Sequence, residues 1–401
     1  MAQFNYIGRG TNGKTKKGVI TGSTKRDAAT KLKEKQISVL ELTEAKATGL
    51  NKEISFGNPV KLQDFAIYLR QFSTLLKAGV SIVEATNILS KQTSSKALKR
   101  SLEAIEDELR SGLPFSDAAA KHPKIFEALV INMVKAGEIS GDIDGSLDRL
   151  AVHFEKQHKT RQKVISALAY PIVVGIVAIG VVIFLLTSVV PTFAAMLSDL
   201  GGELPLITRF VMGASDFIQH FWWLLLLLVI AIVLLFQVIR QNPKTSLYLD
   251  YALLKMPIFG KLLQRAALAR MTRTLSSLFS SSVPILQAIS IVEKVIGNAV
   301  ISNVMKESRH ALENGERLTE PMKKSWVFPP LVVQMISIGE ETGSLDLMLS
   351  KVADFYEDEV ENTTDRLKSL IEPLMIVFLA AIVGVIVIAI MVPMFQIYGE
   401  I

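Results

Sequence analysis

The chain has 401 residues, half of them hydrophobic, a formal net charge of +6 and no cysteine. Cysteine-free composition excludes a disulfide framework, a thiol nucleophile and Cys-based metal sites. The apolar content is not ordinary core, because residues 164–198, 217–239 and 373–399 contain no Asp, Glu, Lys or Arg, and about 20 consecutive apolar residues suffice to cross a bilayer.

Near the start, "IGRGTNGKTKKG" places Gly8, Gly13, Lys14 and Thr15 in the spacing of a phosphate-binding loop. Such a loop needs a strand before it and a helix opening at the Lys-Thr pair, so that backbone N–H groups meet the phosphates. Here the next residues are "KKGVITGS", a β-branched run between Gly18 and Gly22 that reads as a strand. Asn12-Gly13 then reads as a hairpin turn. A helix is expected over "STKRDAATKLKEKQ" with Ser23 as its N-cap, and "ISVLEL" is the last strand. Residues 1–55 are thus expected to form a small basic α+β unit, not a nucleotide site. Its N-terminus is polar and basic, so no cleavable signal peptide is expected. Its charge suits anionic headgroups or an acidic protein, and with Phe4 and Tyr6 as its aromatics no nucleic-acid partner is assigned.

Residues 60–168 read as a helical bundle. Leu62, Phe65, Ala66, Leu69, Phe72, Leu75 and Leu76 recur near a 3.6-residue period, and Gly79 stops that helix. "SKALKRSLEAIEDELRSG" is a second amphipathic helix ending at Gly112. "SLDRLAVHFEKQHKTRQKV" is another and should run straight into the first apolar segment, with Pro171 as a tolerated kink at the membrane boundary. Transmembrane helices are expected over 169–195, 217–239 and 371–395, joined by a short extracytoplasmic loop over 196–216. Lys156, Lys159, Arg161 and Lys163 precede the first span, and Arg240 and Lys244 follow the second. Around the loop, Asp199, Glu203 and Asp216 face Arg209 alone. The positive-inside rule therefore places the N-terminus and residues 240–372 in the cytoplasm, and the tail 396–401 outside.

The chain repeats itself. "LRQFSTLLKAGVSIVEATNIL" from Leu69 matches "TRTLSSLFSSSVPILQAISIV" from Thr272, pairing Arg70 with Arg273. "MVKAGEISGDID" from Met133 matches "MISIGEETGSLD" from Met335, pairing Gly137, Glu138, Gly141 and Asp144 with Gly339, Glu340, Gly343 and Asp346. Pro171 and Pro373 open the first and third spans in the same register. Residues 261–370 are therefore expected to form a second cytoplasmic bundle like the first. The fold class is mainly α: a polytopic membrane protein with two homologous bundles and three spans. Both bundles lie on one side only if residues 217–239 cross the membrane.

Within the repeated Gly-Glu element, Glu138, Asp142 and Asp144 are weak candidates for a divalent cation, three carboxylates on a short loop. The competing expectation is a helix junction in which Gly137 and Gly141 permit a tight turn and Asp144 caps the next helix. No two of the five histidines stand at the i, i+3 or i, i+4 spacing of a helical metal site. Apart from His220 at an edge, the spans hold no ionisable group, which argues against a transporter. "DFYEDEVENTTDRL" before the third span is acidic where "HFEKQHKTRQKV" before the first is basic. Either these are solvated faces, or the lobes present opposite charge to partners or to each other.

The chain resembles the PilC/GspF family of inner-membrane platform proteins over essentially its whole length. The resemblance rests on "LLKAGVSIVEA" with "LFSSSVPILQA", the two Gly-Glu elements, "MPIFGKLLQRAALARMTRTL", and the proline-bounded spans "YPIVV" to "VVP" and "EPLMI" to "MVP". It departs at Ser282, where the first lobe has Gly79. The resemblance implies a non-enzymatic, cofactor-free part of a type IV pilus, type II secretion or competence machine, oligomeric in the inner membrane. Implied partners are a cytoplasmic hexameric assembly ATPase, with a retraction ATPase as a further candidate, pilin or pseudopilin subunits, and other inner-membrane assembly proteins.

Overall fold

The structure, a computed structural model, describes residues 2–9, 15–22, 25–34, 38–44, 59–199, 205–257 and 259–400. Two units separate, Met1–Asn58 and Pro59–Ile401.

In the first unit, β1 (Ala2–Arg9), β2 (Thr15–Gly22), α1 (Lys25–Glu34) and β3 (Ser38–Glu44) form an antiparallel sheet of order β2-β1-β3 with one helix. Phe4, Leu32 and Leu42 are its small core. Thr15 pairs with Arg9 as the first residue of a strand, where a phosphate-binding loop needs the start of a helix. Asn12, Gly13 and Lys14, where the hairpin turn is expected, lie outside the described residues, as does Ser23.

The second unit is helical throughout. Its first lobe holds α2 (Leu62–Lys77), α3 (Ile82–Gln92), α4 (Lys96–Arg110), α5 (Phe115–Ala120), α6 (Ala128–Ser140) and the start of α7 (Ile143–Phe184). A π turn at Leu185–Val189 leads into α8 (Val190–Asp199), and α9 (Leu206–Gln241) follows. After α10 (Pro243–Lys255), the second lobe repeats the plan with α11 (Phe259–Ser280), α12 (Ile285–Val295), α13 (Ala299–Glu313), α14 (Glu320–Lys324), α15 (Pro330–Thr342) and the start of α16 (Leu345–Glu400).

Local chemistry sets these boundaries. Ser81 and Ser95 cap α3 and α4 by accepting the N–H groups of Glu84 and Leu98. Gly79, Gly112, Gly141 and Gly343 take left-handed φ at helix ends, freeing the chain to reverse. The first lobe's core is aromatic, with Phe65, Phe72, Phe115, Phe126 and Phe154 meeting at centroid distances of 5.1 to 6.0 Å. The second lobe fills the same role with Met271, Leu275, Ile289, Met305 and Ile336, and both sets belong to one continuous core. The lobes thus share an interior.

Ser282 has φ of 58°, in the same left-handed region as its repeat partner Gly79 at 84°. A left-handed turn without glycine costs roughly 1 kcal/mol. Ser282→Gly is therefore expected to raise the unfolding free energy by about 1 kcal/mol, measured by denaturant titration in detergent.

Two helices, Ile143–Met196 and Leu345–Val392, are long and apolar enough to cross a membrane. A third span requires Leu206–Leu224 and Leu226–Arg240, bent by 48°, to count as one; the bend falls at Phe221, φ −113° and ψ 17°. Within the stretch 196–216, expected as a loop, the described residues are largely helical: α8 runs to Asp199 and α9 starts at Leu206. Helix is favoured there because the early part of α9 has a buried face, where Val211 packs with Leu186, Val190, Ile386 and Ala389.

That face also repairs two backbone defects. In the π turn, Val190 N–H bonds the carbonyl five residues back, on Leu185. Pro191 has no N–H for the next carbonyl, Leu186, which instead accepts the Ser215 hydroxyl at 2.5 Å. Position 393 is also proline. The carbonyl four residues earlier, on Ala389, accepts the Thr208 hydroxyl at 2.7 Å. By contrast, α7 and α16 continue through Pro171 and Pro373 without a break.

Candidate coupling interface

Each lobe ties its first long helix to its stalk helix through one arginine. On α2, Arg70 donates to both carboxylate oxygens of Glu155 on α7 at 2.7 Å and to Asp148 at 2.5 Å, and Lys77 reaches Asp148 at 2.9 Å. On α11, Arg273 donates to both oxygens of Glu357 on α16 at 2.8 Å and to Asp354 at 2.5 Å. Glu155 and Glu357 have the same repeat offset as Gly137 and Gly339. A planar guanidinium meeting a carboxylate in two parallel bonds fixes both distance and rotation between helices.

The two sites differ in exposure. The Arg70 side chain is 38% exposed and that of Arg273 only 12%. The Lys77 hydrogen bond, with both cations adding to it, holds Asp148 below its ordinary range, and Arg70 does the same for Glu155. For Asp354, burial pulls upward but hydrogen bonds from Lys156 and Arg273 outweigh it, and the net shift is down.

Lys156 comes from the other lobe. It lies on α7 yet bonds Asp354 of α16 at 2.6 Å, with Glu357 at 3.4 Å. Lys163 pairs with Glu361 further along the same two helices, and Arg149 donates to Ser281 on the second lobe at 2.9 Å. The basic stretch before the apolar part of α7 and the acidic stretch before the apolar part of α16 therefore meet each other. Val164, Leu262, Val360 and Leu367 pack beside this zipper. The stalk helices are thus joined by charge and apolar contact just before both apolar segments begin.

His153 is buried within this junction, its Nδ1 3.4 Å from the Ser277 hydroxyl. Burial first, then the Arg273 and Arg270 charges, push its pKa from the ordinary 6.5 down to about 4. The unfolded chain therefore takes up a proton as pH falls through 6.5, while the folded chain resists it down to about 4. Stability is expected to fall by about 2 kcal/mol between pH 7 and pH 5 from this residue alone. His153→Gln should flatten that part of the profile of unfolding free energy against pH.

The Gly-Glu elements serve other ends. The oxygens of Glu138 accept the Ser116 N–H at 3.2 Å and the Ser116 hydroxyl; Glu340 accepts the Leu318 N–H at 3.0 Å. Each carboxylate thus satisfies a donor at the short helix or turn facing it. Asp142 pairs with Arg149 at 2.9 Å. Among the described residues no three carboxylate or imidazole groups converge as metal ligands, so Glu138, Asp142 and Asp144 are not brought together. The expected cap at Asp144 is corrected: Asp142 is the N-cap residue, and Asp144 sits in the first turn of α7. Gly137 is also not a turn glycine. It lies inside α6, where a Cβ would stand 2.6 Å from Ser146 Oγ and 2.8 Å from the Asp142 carbonyl. Gly339 is similarly crowded by Leu345.

The repeat marks out both arginines, but neither their carboxylates nor the pairs made by Lys156 and Lys163 carry a local signal in the sequence. Extending the repeat register past Asp144 and Asp346 would have matched Glu155 with Glu357.

Comparison with known proteins follows the same division of the chain. The family described as type II secretion system (T2SS), protein F, matches residues 68–191 and 271–393. The N-terminal domain of type II secretion system protein F matches residues 1–43. The chain is 40% identical to the type IV pilus assembly protein PilC of Thermus thermophilus over 403 residues, all of this chain and 99% of the relative. It is 36% identical to PilC of Myxococcus xanthus, across 100% and 96% of the two chains. With type II secretion system protein F of Vibrio cholerae it shares 31% identity across 99% and 98%.

Proposed function

The chain belongs to the type II secretion system protein F family, and on that premise we propose that it is an inner-membrane platform for type IV pilus assembly. In this reading it crosses the membrane three times, with the N-terminus and both lobes cytoplasmic and the C-terminus outside, and acts as a homo-oligomer. It passes the motion of a cytoplasmic hexameric ATPase to pilin subunits leaving the bilayer for the filament, and performs no catalysis itself. The carrying observation is mechanical: α7 and α16 run unbroken from the lobes into apolar segments, and Lys156 and Lys163 clamp them together at the boundary. A lobe cannot turn without moving a helix that enters lipid. Identities of 40% and 36% to pilus assembly proteins, against 31% to a secretion protein F, favour the pilus over a secretion or competence pseudopilus.

The test is photocrosslinking from lobe surface positions in cells, with filaments counted in a deletion strain. Adducts with the assembly ATPase and loss of filaments are expected. Filaments persisting without the chain would sink the proposal.

A further inference from the structure

The helix after the second apolar segment carries an unpartnered face. On α10, Tyr248, Tyr251 and Lys255 are exposed in steps of three or four residues, Tyr248 to 76%, and Met256 and the first residue of α11, Phe259, are exposed just beyond. Trp326 from the second lobe joins them: it meets Tyr251 edge to face at 5.7 Å, and the Lys255 ammonium stands 5.2 Å from the Tyr251 ring and 5.4 Å from the Trp326 ring. The opposite side of α10 is tied down, Asp250 accepting the Ala299 N–H at 2.7 Å.

Two independent constraints set the level of this patch relative to the bilayer. By chain continuity, α10 starts two residues after α9 ends at Gln241. By packing, Leu262 near the start of α11 touches Val164 and Leu367. Those residues precede Pro171 and Pro373 by roughly 9–10 Å along their helices, at 1.5 Å per residue. Helix α11 runs away from the membrane: Arg265 pairs with Glu359, Arg273 with Asp354, and Ser276 reaches Asp346. Phe259 is therefore nearer the bilayer than Leu262. Trp326 stays at that level, because Gln264 donates to the neighbouring Val327 carbonyl at 2.9 Å.

Charge selects the occupant. From Arg240 to Lys261 the sequence holds Arg240, Lys244, Lys255 and Lys261 against Asp250 alone, and Asp250 is already engaged with the Ala299 N–H. Tyr and Trp with flanking cations are the residue types that settle at a membrane–water interface, and each nearby cation adds attraction to anionic headgroups. We propose that the Tyr248–Tyr251–Lys255–Trp326 face is a second, non-spanning membrane contact. It seats the near end of the second lobe in the headgroup layer, with a preference for anionic lipid. Position 124, the repeat counterpart of Trp326, is lysine, so the contact belongs to the second lobe. The inference rests on the membrane reading of α7, α9 and α16.

The chain has three tryptophans, at 222, 223 and 326. Trp222→Phe with Trp223→Phe leaves Trp326 as the only one. The full-length variant is placed in phosphatidylcholine/phosphatidylglycerol vesicles whose acyl chains are brominated near the glycerol or near the chain end. Expected is about a twofold loss of Trp326 emission with the shallow bromines, a smaller loss with the deep ones, and no quenching by aqueous iodide. Lys255→Gln should shrink the extra quenching that phosphatidylglycerol gives over phosphatidylcholine alone. Quenching by iodide without bromine would place the face in water, and quenching by neither would place it against protein, such as a second copy; either overturns the proposal. A Trp326→Phe chain reports separately on Trp222 and Trp223. If those escape bromine, it is the membrane reading that fails.

Discussion

Arg273→Ala is expected to lower unfolding stability by about 3 kcal/mol, and Arg70→Ala, at the matching position of the first lobe, by about 1 kcal/mol. Both arginines grip a glutamate in two bonds, so geometry alone predicts equal losses. Solvent separates them. The Glu357 side chain is 18% exposed and Glu155 43%. Removing Arg273 leaves the poorly hydrated Glu357 with only Lys156, 3.4 Å away, as a cation, while Asp354, 46% exposed, keeps water and Lys156; an unpaired buried charge costs far more than an exposed one. Arg273→Lys should recover only part, since an ammonium cannot reproduce the two-bond grip. Hydrogen exchange on the purified full-length chain reads both lobes at once. Equal losses for the two variants would refute the account.

Gly260→Ala is expected to cost about 3 kcal/mol and to cut the yield of folded protein. A Cβ there would stand 2.1 Å from the Leu254 carbonyl oxygen and 2.7 Å from its carbon. Both are backbone atoms, with no rotamer that could move them aside. The Gly260 N–H also bonds the Met256 carbonyl at 2.9 Å, so opening the turn would break a hydrogen bond. This turn joins α9 to the second lobe through α10 and α11. Gly175→Ala, where a Cβ meets nothing within 4 Å, is the control and should change stability by less than about 0.5 kcal/mol. Similar thermal midpoints for both variants in detergent would show the close approach to be unimportant.

Much of the helical plan was legible because its signals are local. The period from Leu62 to Leu76, the glycine stops and the uncharged runs all lie within windows of one helix. What escaped depends on partners far along the chain. Helix α9 begins eleven residues before its uncharged run at 217 because Val211 and Ser215 find cover on the segment around Leu186 and on α16, which no reading of residues 196–216 alone can show. Gly137 looked like a turn glycine because glycine marks both turns and close approaches; only the position of Ser146 decides between them. The arginines were found through the repeat, but their carboxylates come from a helix about 80 residues away. The opposite charge of the two juxtamembrane stretches was plain in the sequence, and whether they faced water or each other was decided by folding.

The two hydroxyls of α9 bear on why a duplicated chain carries an unduplicated helix. Each copy of the repeat brings its own proline near the far end of its membrane segment, and so its own stranded carbonyl in surroundings where water offers no remedy. Two copies alone would carry two such defects. One inserted helix answers both, Ser215 serving the first copy and Thr208 the second. It is a chemical complement to the duplication. Replacing it with a merely greasy segment would restore the connection and leave both wounds open.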